Sequence, residues 1–77
     1  MQIEKLIYMA NQIGKFFAPQ GAGAEIAGVE DHLRRFWDPR MRTQLIDHVR
    51  GGGGGLDTNV ASAVVRLGEP AAANNGS

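Results

Sequence analysis

No cysteine occurs in the chain, and that absence removes several chemistries at once. It excludes a disulfide framework, a thiolate zinc site and an iron–sulfur cluster held by this chain. An excess of one charge is missing too. Eight Lys+Arg balance eight Asp+Glu, whereas a dedicated nucleic-acid binder normally carries a large positive excess. Long hydrophobic runs are absent: the longest stretches only from Leu6 to Ala10, against roughly 20 residues for a bilayer span. Glu4, Asn11, Gln12 and Lys15 break up the apolar stretch that a signal peptide would need. A cytoplasmic chain with no membrane segment is the expectation. At 77 residues it makes one small domain, a size that buries a low fraction of its surface. With no cross-link to help, such a fold is either marginal alone or completes its core on a partner.

Helical periodicity runs through the ordered part. Ile3, Leu6, Ile7, Ala10, Ile13 and Phe17 follow the i, i+3, i+4, i+7 pattern and predict a helix over 2–17. Tyr8, Met9 and Phe16 widen its apolar face, as expected of a helix covered on more than one side. Gly14 interrupts this helix at a cost of about 1 kcal/mol relative to Ala. Either another helix passes close by or the glycine is simply tolerated. Ala18-Pro19-Gln20-Gly21 breaks the helix, because proline cannot continue it.

A second helix is predicted over 22–36, with Ile26, Val29, Leu33 and Phe36 on one face and Arg34 and Arg35 favouring the dipole in its last turn. Asp38 as N-cap and Pro39 at the first helical position start a third, over 39–50, carrying Met41, Leu45, Ile46 and Val49. Gly51 to Gly55 read as a flexible hinge, since nothing there can pack and the entropy lost on ordering is maximal. Leu56-Asp57-Thr58 resembles a staple-and-cap start for a short fourth helix over 57–67, with Val60, Ala61, Val64, Val65 and Leu67 apolar and Gly68 and Pro70 ending it. Residues 71–77 predict a disordered tail. No segment alternates with period two. The predicted fold is all-α: a small three-helix bundle or helical hairpin, then a fourth helix after the glycine hinge.

Most candidate chemistry fails on spacing. Gly21, Gly23 and Gly28 do not match the dinucleotide fingerprint, and no strand precedes them. The glycine run lacks the Lys-Ser/Thr ending of a phosphate loop. His32 and His48 have no His partner at helical spacing, so a metal site is not predicted. Ser62 and Ser77 are the only serines, and no nucleophilic set can be assembled from them. The catalytic, cofactor and metal assignments are therefore none.

The informative stretch is Arg34, Arg35, Phe36, Trp37, Asp38, Pro39, Arg40, Met41 and Arg42, with His32-Leu33 before it. Half of the basic residues fall here, all as Arg, around the only Trp. Arg and Trp are enriched at interaction hot spots, and the guanidinium fork suits carboxylate or phosphate. A purely structural account is equally open: Arg34 and Arg35 as dipole partners, Trp37 plugging a helix junction, Arg40 and Arg42 solvated.

At these residues the chain resembles the delta subunit of NAD-dependent formate dehydrogenase. The H-L-x-x-F-W-D-P-R-M-R run carries the resemblance. Met9-Ala10-Asn11-Gln12-Ile13-Gly14 with Phe16-Phe17 and the glycine element ending at Leu56 support it. It spans residues 6–67, with a longer glycine run than the family element and Asp57-Thr58 in place of a Ser/Asp-Pro start. The resemblance implies a non-catalytic accessory subunit of a cytoplasmic hetero-oligomeric complex. Other subunits of that complex are expected to carry a molybdenum bis-pterin guanine dinucleotide, iron–sulfur clusters and FMN. It further implies a role in assembly, stability or cofactor insertion, with the large (alpha) subunit as partner. The expected contact is the Arg34–Arg42 surface, with Tyr8, Met9 and Phe16 buried against that subunit or against helices 2 and 3. A sharper version has the arginines holding the cofactor's phosphates during insertion. The alternatives are a homodimeric helical module and a helix-turn-helix nucleic-acid binder.

Overall fold

The computed structural model describes residues 2–69. Within them the chain is all-α, with four helices and no strand: α1 Ile3–Phe17, α2 Ala24–Phe36, α3 Pro39–Arg50 and α4 Thr58–Leu67. The tail expected over 71–77, and Pro70 with it, lie outside the described residues. After α1 the chain does not break outright but tightens into a 3₁₀ turn, Ala18–Gln20, with Pro19 in its first turn. Helix α2 begins at Ala24, two residues later than the periodicity predicts. Gly21 and Gly23 take φ of 89° and 84°, a left-handed geometry that a right-handed helix cannot absorb.

The helices α1 and α4 form the centre of the bundle, each packing on all three others, while α2 and α3 flank them. The core runs through every helix: Leu6 and Ala10, Val29 and Leu33, Trp37, Leu45, then Val60, Ala63, Val64 and Leu67. The fourth helix is therefore no appendage. It supplies four of these ten residues, and the first three helices without it would leave their apolar faces open. Ile3, Met9, Ile13, Phe17, Ile26, Met41, Ile46, Val49 and Leu56 pack around the core, partly buried.

Two glycines let the helices approach. A Cβ on Gly14 would stand 2.5 Å from Val60 Cγ2 and 2.8 Å from Asn59 Oδ1, so α4 crosses α1 at that point. This selects the close-approach account of Gly14. Gly28, from the failed phosphate-loop pattern, gives the same service on α2, where an added Cβ would enter the Phe17 ring.

The glycine run differs from the slack joint expected of it. Gly51 N–H donates to Asp47 O and Gly53 N–H to His48 O (3.1 and 2.9 Å), and Leu56 N–H returns to Gly53 O (3.2 Å). His48 Nε2 lies 2.7 Å from Gly54 O; a carbonyl only accepts, so Nε2 carries the hydrogen. Asn11 Nδ2 donates to Gly55 O, and Asn11 Oδ1 accepts from Asp57 N–H, both at 2.9 Å. The run is a turned loop tied down by α1 and α3. Its end leads directly into α4.

The start of α4 also departs from the expected cap. Asp57 holds the N-cap position in extended geometry, but its side chain makes no cap hydrogen bond. Its carboxylate pairs instead with Lys15 Nζ at 3.1 Å, which ties the start of α4 to α1.

Candidate docking surface

The junction residues that carry the Arg/Trp cluster divide into two groups. One group builds the turn between α2 and α3. Leu33 and Trp37 are buried in the core. Asp38 Oδ1 accepts from Met41 N–H at 2.9 Å and Pro39 occupies the first helical turn, the expected cap. Arg42 reaches back over the turn, its Nη1 donating to Arg34 O (3.0 Å) and to Trp37 O. These are two carbonyls at the α2 end, where no helical N–H follows to bond them. Met41 packs half-buried on the core.

Trp37 therefore needs correcting. At 5% exposure its indole offers no surface to a partner. It seals the bundle where two helices part, the structural account of the pair left open by the sequence. Met9 likewise packs against this chain's own core.

The second group faces outward. Arg34 bonds Glu30 Oε2 at 2.7 Å, and the other oxygen of that carboxylate takes Arg66 of α4 at 3.0 Å. One carboxylate thus ties α2 to α4 and faces two cations. Arg35 pairs with Asp31 at 3.0 Å, with both side chains mostly in water. Such a pair adds little stability and stays available to a partner. Among the described residues Arg40 is exposed and its guanidinium makes no ion pair or hydrogen bond.

The tertiary structure adds a feature that spans two helices. Phe16 is 73% and Phe36 72% exposed, and the two are ends of one row of rings. Phe16 meets Phe17 edge-on with centroids 5.0 Å apart, Phe17 lies 6.4 Å from His32, and His32 tilts onto Phe36 at 4.9 Å. Gly28 gives the Phe17 ring its seat in the middle of this row. A shallow apolar groove lined by Gln12, Ile13, Phe16, Phe17 and His32 runs beside it. Tyr8, 65% exposed, continues the surface along α1, because Tyr8, Gln12 and Phe16 follow at i, i+4 and i+8 on one ridge. Large aromatics gathered on a face rather than scattered mark an interaction surface. Sequence reasoning selected Tyr8, Phe16 and Phe36 but missed Phe17 and His32. The His32–Phe36 spacing of four was a signal for half of the row; the link to α1 was not visible.

Among the described residues no three His, Asp or Glu side chains gather as a metal site, and no helix is long and apolar enough to cross a membrane.

In a comparison with known families, the model FdsD, described as the NADH-dependent formate dehydrogenase delta subunit, matches residues 5–64. No curated protein and no solved structure matches.

Proposed function

Since the chain belongs to the delta-subunit family of NADH-dependent formate dehydrogenase, we propose that it is a non-catalytic accessory subunit docking on a larger subunit of that complex. It thereby supports assembly, stability or cofactor insertion, and the large subunit is the partner favoured by the resemblance. The cytoplasm is the proposed setting. The carrying observation is the exposed row from Phe16 to Phe36, with exposed Arg35 next to Phe36 in the chain and exposed Arg40 four residues on. A chain this small gains from covering two largely exposed phenylalanines, for which full burial from water is worth up to about 1.5–3 kcal/mol each.

The redox groups are assigned to other subunits. With no cysteine, this chain has no thiolate for a cluster, and its contribution is contact surface.

Co-expression of the complex with and without this chain tests the proposal. Omission is expected to lower the yield of assembled enzyme, its molybdenum content, or both, and with them formate-dependent NAD reduction. Equal yield, metal content and rate in both preparations would overturn it.

A further inference from the structure

The neutral net charge hides a segregation that says what covers the aromatic row. Five cations, Arg34, Arg35, Arg40, Arg42 and Arg66, gather around the end of α2 and the start of α3. Three carboxylates, Glu30, Asp31 and Asp38, accompany them. This end carries an excess of two positive charges. The rest of the chain holds Lys5, Lys15 and Arg50 against Glu4, Glu25, Asp47, Asp57 and Glu69, the equal and opposite deficit.

The bonding shows where the excess lies. Arg34 and Arg66 share the single Glu30 carboxylate. Arg42 is held by neutral carbonyls that leave its charge uncompensated. Arg40 has no partner among the described residues. Phe36 stands at this positive end, one residue from the Arg34–Arg35 pair and four from Arg40.

We infer that the surface covering the Phe16–Phe36 row is an apolar patch of another subunit flanked by carboxylates, with Phe16 and Phe36 as anchors and Arg40 as an ion-pairing residue at the Phe36 end. The inference rests on the accessory-subunit reading and adds the partner's chemistry to it. Opposite charge at the rim orients and speeds the encounter, and the burial of rings holds the complex. A second copy of this chain presents the same positive end and is repelled there. Binding of the wild type should accordingly weaken as salt screens the rim.

The test uses the full-length chain and formate dehydrogenase made without it, with affinity measured at about 50 mM and about 500 mM salt, since screening lengths differ several-fold between these. Arg40→Glu is expected to weaken binding about tenfold at low salt and less than about twofold at high salt. Arg50→Glu, the same charge change at the far end of α3, should stay within about twofold of wild type at both. Phe36→Ser and Phe16→Ser should lose binding at both salts. Circular dichroism of each variant checks that the helices remain. If Arg40→Glu binds as wild type at low salt, or Arg50→Glu is equally impaired, the acidic partner is refuted and the accessory-subunit reading stands. If both Phe variants bind as wild type, this row is not the docking surface and the inference falls with it.

Discussion

The backbone of Gly14 lies so close to Val60 that a methyl group on its α-carbon would come within 2.5 Å of Val60 Cγ2. The same turn of α1 gives its carbonyl oxygen to Asn59 Nδ2 at 3.0 Å, and Asn59 also donates to Glu25 Oε1 at 2.8 Å. One amide thus joins α1, α2 and α4 where the main chains are nearest. In an isolated helix Gly14→Ala would be stabilising by up to about 1 kcal/mol. Here Val60 is β-branched, stiff and fully buried, and Asn59 is held by two bonds, so neither neighbour yields cheaply. The substitution is expected to destabilise by about 1–2 kcal/mol, and the melting temperature should fall by about 4–8 °C per kcal/mol. A rise in melting temperature would show that the helices do not meet at Gly14.

Trp37 and Phe36 are sequence neighbours with opposite roles. Trp37→Ala removes a buried indole and should cost about 3–5 kcal/mol, enough to unfold so small a domain. Phe36→Ala gives up a contact with His32 and little burial, and should cost less than about 1 kcal/mol. In co-purification with the formate dehydrogenase complex, Phe36→Ala should detach while remaining folded. Thermal melts together with co-purification separate the two roles.

Asn11 secures the glycine loop through both ends of its amide. Asn11→Ala leaves the half-buried Asp57 N–H without its acceptor, while the exposed Gly55 carbonyl turns to water. A loss of about 1–2 kcal/mol is expected. Amide hydrogen exchange should accelerate over Gly53 to Asn59 before it does in α2.

Within the glycine run the five positions are unequal. Gly55 has φ of 88°, with Ile7 Cγ2 3.5 Å from an added Cβ, while Gly54 has no positive φ and open space around it. Gly55→Ala should cost about 1–2 kcal/mol from backbone strain alone. Gly54→Ala should fall within about 0.5 kcal/mol of wild type. Equal melting temperatures for the two variants would mean that the loop does not hold this geometry.

Helix type and position were legible in the sequence, because an amphipathic period and the breakers Pro19, Asp38-Pro39 and the glycine run are local signals. The start of α2 was misplaced by two residues, since two positive-φ glycines outweighed the alanines between and beside them. The family was legible as well, in the junction run and the Met-Ala-Asn-Gln-Ile piece, and the family match covers both.

What those motifs do was not legible. Asn11 in the first motif binds Gly55, forty-four residues away. The Arg/Trp cluster reads as one surface and folds as two, with Trp37 in the core, Arg42 closing a turn and Arg40 free in water. Phe16 and Phe36 become one row only when Phe17 settles on Gly28 and reaches His32.

By itself, then, the sequence determined four helices, their breaks, the absence of cysteine chemistry and the family. Periodicity, capping and composition act over a few residues and need no partner. Tertiary structure alone decided which aromatics are buried, that the glycine run is bound, and that Arg66 of α4 joins the arginines at the end bearing Phe36. Each of these depends on contacts between residues far apart in the chain, which no local pattern encodes.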